Sequence, residues 1–213
     1  MFTSIVFSKD RPLQLDLCLK SIKQNLFAAN KVVVLYKTSD GYDTNYSQLA
    51  DEHPDVEFFK QGHSIFQDIK TILADSTEYV IFFTDDDIIY RKCELTEADI
   101  ASAFDNEACC VSLRLGINTS MRDYGDGVLR RDNIPEQIMR LSNTLIWNRT
   151  SIPVGGYWAY PLSVDGHIFE TRDIKKFTEE LCILNNNYDN CGTVPRAKYA
   201  WSQTTNEFES KLQ

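Results

Sequence analysis

No apolar run in the 213-residue chain approaches the ~20 residues that cross a bilayer, and the amino terminus lacks the basic-then-apolar order of a signal peptide. These absences predict a soluble, cytoplasmic protein with no membrane span. None of the six cysteines (Cys18, Cys93, Cys109, Cys110, Cys182, Cys191) belongs to a C-x-x-C pair, and most have apolar neighbours, so they read as reduced thiols rather than a zinc site. Basic charge is in deficit: 22 Lys and Arg stand against 31 Asp and Glu, a net charge of -9. That balance argues against a sequence-independent nucleic-acid binder, which needs a basic face toward phosphates. No Walker loop, G-x-G-x-x-G loop, internal repeat or low-complexity tract occurs. Three N-x-S/T sequons, at Asn45, Asn118 and Asn148, carry no weight without a secretory signal.

What is present is a regular alternation. "TSIVFS" is short, apolar and β-branched, the pattern of a buried strand. "KDRPLQLDLCLKSIKQNLF" follows, with Asp10 as a cap, Pro12 in the first turn and Leu15, Leu19, Ile22 and Leu26 at helical spacing. "KVVVLYKTS" predicts a second strand, then a loop and short helix through Leu49, then "VEFFKQ" as a weaker third strand. "SIFQDIKTILADS" sets Ile65, Ile69, Ile72 and Leu73 on one helical face and returns the chain to a fourth strand, "EYVIFFT". Such alternation implies right-handed crossovers and a mostly parallel sheet flanked by helices, a Rossmann-like α/β fold in one unit over residues 1–213. Beyond Tyr90, "LTEADIASAF" predicts a helix and "ACCVSLRL" a strand. "GINTSMRDYGDGVLRRDN" reads as a long loop, "RLSNTLIWNR" as one strand, "VGGYWAYPLSVDGHIF" as an aromatic-rich turn region and "TRDIKKFTEELCILNNN" as a helix with Ile174, Phe177, Leu181 and Leu184 inward.

Ligands of parallel sheets bind beyond the carboxyl ends of the strands. "SKDRP", "YKTSD" and "DDD" (Asp85, Asp86, Asp87) all lie at such ends, so they converge on one rim. Three adjacent carboxylates repel one another, and a cation among them stabilises their ionised forms. Hard oxygen donors at this density suit Mn2+ or Mg2+ with open positions for phosphates, whereas the alternative is a plain acidic turn. An aspartate-nucleophile hydrolase would place its carboxylate after the first strand, and a nucleotidyltransferase would carry a glycine-rich loop there; this chain does neither.

"TSIVFSKDRPLQLDLCLKSI" resembles the opening of nucleotide-sugar glycosyltransferases of the GT-A fold, and "YVIFFTDDDIIY" resembles their D-x-D motif, carried here by Asp85 and Asp87. The opening is also similar to the amino-terminal glycosyltransferase domain of chlorella-virus capsid-glycosylation proteins. The resemblance covers roughly the first ninety residues. It implies a nucleotide-sugar half over 1–90, an acceptor half over 91–213, a UDP-sugar donor, a glycan or glycoprotein acceptor and a Mn2+ or Mg2+ cofactor. It further implies that Ser8, Lys9, Arg11, Tyr36 and Thr38 hold base and ribose, that Asp85 lies near ribose or metal, and that Asp87 binds the metal. Asp86 reads as a donor contact or a spacer, and Lys70 as a donor contact or an exposed helix lysine.

For an inverting transfer a base must take the acceptor hydroxyl proton. The family places a carboxylate downstream, and "SVDGHIF" offers Asp165, which reads otherwise as a helix cap. His167 reads as a further metal ligand or as a structural histidine. Tyr157, Trp158, Tyr160 and Phe169 suit stacking on a sugar or packing in a core; His53 and His63 carry no motif. Six of the ten arginines (Arg114, Arg122, Arg130, Arg131, Arg140, Arg149) fall in one segment, facing either an anionic substrate or solvent. The chain lacks the downstream acid-acid and Q-x-x-R-W patterns of processive members, which leaves stereochemistry and acceptor open. A non-catalytic sugar-nucleotide or glycan-binding domain of a larger protein is the alternative function.

Overall fold

The continuous apolar character of the early strands follows from a sheet covered on both faces. In the computed structural model, β1 (Phe2–Lys9), β2 (Asn30–Lys37), β3 (Val56–Lys60) and β4 (Tyr79–Thr84) alternate with α1 (Pro12–Asn25), α2 (Asp43–Glu52) and α3 (Ile65–Ala74). The structure describes residues 1–27, 30–62, 64–116, 118–123, 127–132, 134–136, 138–141, 144–148, 152, 157–158 and 163–190. The remaining described elements are α4 (Glu97–Asp105), β5 (Val111–Ser112), β6 (Met121–Asp123), β7 (Leu129–Arg131), β8 (Ile138–Leu141), β9 (Thr144–Trp147), β10 (His167–Glu170) and α5 (Thr171–Asn190).

The main sheet has six strands in the order β3-β2-β1-β4-β10-β5. β1 pairs in parallel with β2 and β4, and β2 with β3. Along β1 the side chains alternate between two cores. Phe2 and Val6 join Val34, Ile81 and Phe83 under α1, α2 and α4, whereas Ile5 and Phe7 join Val33, Leu35, Val80 and Phe82 against α3 and Ile174 of α5. This is the period-two pattern of a strand buried on both sides. Ser64 caps α3 by accepting from the Gln67 amide, and Thr96 with Asp99 forms a capping box on α4.

Four expectations change. Asp10 does not cap α1: it sits at φ 57° and its carboxylate turns away to the amide and hydroxyl of Ser39. The stretch expected as a long loop contains the antiparallel ribbon β6–β7, and the single strand expected over Arg140–Arg149 belongs to a second ribbon, β8–β9. The aromatic-rich turn region ends in a real strand, because β10 enters the main sheet antiparallel between β4 and β5. Of the inward α5 residues, Ile174 is buried and Phe177 packs against the same core; Leu181 and Leu184 lie outside the described side chains. Among the described residues no helix is long and apolar enough to cross a membrane.

Candidate active site

The carboxyl ends of β1, β2 and β4 meet at one rim, and the turn after β4 is its centre. Asp87 folds back on the strand end: its Oδ2 accepts from the Thr84 amide at 2.9 Å and the Thr84 hydroxyl at 3.3 Å. The Asp87 amide in turn donates to the Thr84 carbonyl at 3.1 Å. This closed turn points the three aspartates in different directions.

Asp85 is buried, 5% exposed. Its Oδ2 accepts from Ser8 Oγ at 2.9 Å and the Lys9 amide at 3.3 Å, and its Oδ1 from Arg11 Nη1 at 3.4 Å. Ser8 gives its proton to Asp85 and lies 2.5 Å from Tyr46 Oη, which also accepts from the Arg11 amide at 3.3 Å. Burial pushes the Asp85 carboxyl above its ordinary value, against the Ser8, Lys9 and Arg11 contacts that pull it down. Asp86 is exposed and accepts from Arg11 Nη1 at 3.0 Å; the Thr84 hydroxyl and Arg11 hold it below the usual carboxylate range.

Asp87 stands apart from both. Burial drives its carboxyl up to about 6 against the Thr84 bonds, and the charges of Asp165 and Asp86 push it the same way. β10 pairs antiparallel with β4, His167 opposite Phe82, so Asp165 lies at the same end of β4 as the aspartate turn. The chain delivers it through Gly166, which adopts φ +72° and donates its amide to the Phe82 carbonyl of β4 at 2.8 Å. The positive φ favours glycine, and a Cβ there would meet Phe83 at 3.4 Å.

Asp165 Oδ2 accepts from Arg114 Nη1 at 2.6 Å and from Ser163 Oγ at 3.4 Å, and both of these bonds fall on the same oxygen. Arg114 in turn lies over the Tyr157 ring, 5.5 Å from its centroid. His167 is fully buried beside Phe169, its Nδ1 3.1 Å from Ser163 Oγ. Burial pushes this imidazole down to about 3, so it is neutral.

A pocket of about 400 Å³ opens on the rim, within the size range of small-molecule sites. Ser8, Lys9, Arg11, Asp85 and Asp86 line it, together with Lys37 and Gln61, and Phe7, Leu35 and Ile65 form its apolar part. Lys37 and Gln61 were not singled out in the sequence; the signal for both was their place at the ends of the second and third strands. The other nucleotide candidates lie elsewhere. The Tyr36 ring is stacked on Tyr46 at 4.6 Å, and Thr38 donates to Asp43, so both side chains support the rim from behind. Lys70 is exposed on α3 and is not among the pocket residues. Trp158 and Phe169 are core residues, Trp158 donating to the Thr119 carbonyl at 2.9 Å. Tyr157 is half-buried; Tyr160 and His63 lie outside the described residues. His53, buried, is 2.9 Å from Asp16, away from the pocket lining.

Among the described residues no three His, Cys, Asp or Glu side chains converge to hold a metal, so His167 does not join the aspartates. Its Nδ1 is committed to Ser163, and its Nε2 is buried in the interior with no hydrogen-bond partner among the described residues. The donor set nonetheless fits Mn2+ or Mg2+, which characteristically take one or two carboxylates and fill the remaining positions with water and phosphate oxygens. Asp87 fits best, because the charges that act on its half-buried carboxylate are negative and a cation would compensate them.

No family model matches the chain, and no curated protein does. Among solved structures it is similar to residues 1–349 of S. aureus TarS, at 16% identity, covering 82% of this chain and 48% of that one, with a TM-score of 0.52. It is similar also to TarS 1–349 in complex with UDP-GlcNAc, at 17% identity over 82% of this chain and 46% of that one, TM-score 0.50. The chain thus spans less than half the length of these relatives. At such identities the likeness establishes the fold, the GT-A type of mixed α/β architecture with a mainly parallel sheet.

Proposed function

We propose that this chain is a metal-dependent glycosyltransferase that moves a sugar from a UDP-sugar to a hydroxyl of a glycan or glycoprotein, with inversion. The observation that carries the reading is the antiparallel docking of β10 on β4, with His167 opposite Phe82, which brings Asp165 to the same end of β4 that carries the Asp85–Asp87 turn. The crystal of TarS with UDP-GlcNAc supports the donor class, and the resemblance to capsid-glycosylation domains supports a capsid glycoprotein as acceptor.

Residues 1–90 supply the donor half in this reading. Ser8, Lys9, Arg11 and Asp85 surround the nucleotide, with Lys37 and Gln61 closing the pocket wall. Asp87 and Asp85 would hold the cation, which would supply charge neutralisation for a departing diphosphate. Asp165 is the base. Arg114 and Ser163 fix its Oδ2, leaving Oδ1 toward the incoming hydroxyl. The hydroxyl proton passes to Asp165 as the oxygen bonds to the anomeric carbon; the bond from that carbon to the diphosphate breaks on the opposite side, and UDP departs with the electron pair. Tyr157, stacked under Arg114, faces the acceptor.

UDP release from a panel of UDP-sugars, measured with Mn2+ and with a chelator, tests this. Turnover is expected with Mn2+ only, and to be lost in Asp87→Ala. Activity that survives both chelation and Asp87→Ala overturns the metal role, and UDP binding without turnover of any donor makes the chain a binding domain instead.

A further inference from the structure

The loop between β1 and α1 is pinned residue by residue. Lys9 donates its amide to Asp85, Asp10 grips Ser39 from a left-handed φ of 57°, and the Arg11 amide reaches Tyr46 before Pro12 starts the helix. Arg11 thus has a fixed root and a long, half-exposed side chain that crosses to the β4 turn. There a single nitrogen, Nη1, serves two carboxylates, 3.0 Å from Asp86 and 3.4 Å from Asp85. A guanidinium binds most firmly as a two-pronged fork on one anion, and neither carboxylate receives that fork here. The Asp86 end of the grip is 59% exposed, and exposed ion pairs hold weakly.

We propose that Arg11 is the resident counter-ion of the aspartate turn and that it trades this place for the donor's diphosphate when a divalent cation loads. The inference rests on the reading of the rim as a cation and UDP-sugar site. Without ligands, Arg11 offsets the charge of Asp85 and Asp86. A doubly charged ion outcompetes a single delocalised charge for Asp85, because the Coulomb term scales with charge. Arg11 is then released on the wall of the pocket it already lines, where a diphosphate offers the two-oxygen geometry that its present partners withhold. One side chain thereby couples the two ligands, and the coupling is reciprocal: cation strengthens nucleotide binding by the factor by which nucleotide strengthens cation binding.

Calorimetric titration of the full chain with MnCl2 alone, with UDP alone, and with MnCl2 in the presence of UDP tests the exchange in wild type, R11Q, R11K and D87N. Removing the competitor should tighten Mn2+ alone by roughly tenfold in R11Q, while UDP at saturating Mn2+ weakens by roughly tenfold. The coupling between the two ligands then shrinks, with R11K intermediate; if R11Q does not fold, R11K decides in the same directions. Equal Mn2+ affinity in wild type and both Arg11 variants overturns the exchange but leaves the rim reading intact. Mn2+ binding indifferent to D87N, or no UDP binding in any variant, overturns the rim reading and the exchange with it.

Discussion

Two arginine–aspartate couples lie at the end of β4 that carries Asp87, and their geometries are opposite. On the donor side Arg11, 51% exposed, spreads one nitrogen over two carboxylates at 3.0 and 3.4 Å. On the acceptor side Arg114, 31% exposed, makes one bond of 2.6 Å to Asp165 and is backed by the Tyr157 ring. The first arrangement is loose and open to exchange. The second is short and braced, and Ser163 approaches the same oxygen. In the proposed reaction the loose couple suits a carboxylate that takes a cation, and the braced couple one that keeps a fixed aim toward an acceptor. Asp87, between them, has neither arginine.

The largest effect that can break this comparison is at Asp165. Asp165→Asn keeps the shape and removes the base, so turnover should fall by about 10²–10⁴-fold while calorimetric UDP affinity stays near wild type. A variant that retains turnover would move the base elsewhere and leave the braced couple a structural feature.

Asp87 gives the next largest effect, read in stability. Its folded carboxyl, at about 6, lies above the ordinary value near 3.9. A raised pKa means that its contribution is fully present below about pH 4 and is lost as pH rises through about 6. Relative to Asp87→Asn, wild type without metal should lose up to ~3 kcal/mol of unfolding free energy between pH 4 and 7, measured by urea denaturation. Mn2+ at pH 7 should restore much of that difference. Parallel curves for the two proteins would mean that Asp87 is already compensated.

Arg114→Gln comes third. It leaves Asp165 in place but frees its aim, so kcat should fall by roughly tenfold or more with the donor KM nearly unchanged, and Arg114→Lys should recover part of the loss. A loss confined to donor KM would place Arg114 with the nucleotide and erase the contrast with Arg11.

The same contrast explains how much of the molecule is legible in its sequence. The first ninety residues announce themselves because strands buried on both faces are written as unbroken apolar runs, and two of them end on candidate site residues: Ser8 and Lys9 as the last residues of β1, Asp85 to Asp87 just after β4. Beyond residue 90 the helices α4 and α5 were legible, but the described strands are two to four residues long, too short for a period to appear. Asp165 was visible only through the family pattern, and Arg114 stood out only as one of six clustered arginines, with nothing to pair it with a carboxylate fifty-one positions away. Tyr36 misled for a physical reason: it does lie at the rim end of β2, but its ring is spent on Tyr46, the hydroxyl of which stands 2.5 Å from Ser8.

Lys70 provides the smallest expected effect and the sharpest boundary for the donor region. The apolar stripe of α3 (Ile65, Phe66, Ile69, Ile72, Leu73) faces the sheet, which turns Lys70 outward into solvent. Its exposure places it on the opposite side of the helix from Ile65, the residue of α3 that does line the pocket. Substitutions at exposed helix positions away from partners change stability by less than about 0.5 kcal/mol, and lysine and alanine are both good helix formers. Lys70→Ala should therefore leave UDP affinity and melting temperature within error of wild type, as calorimetry and thermal unfolding would register. A clear loss of UDP affinity in this variant would require α3 to rotate or tilt on donor binding, and the rim would then be a surface that closes rather than one already formed.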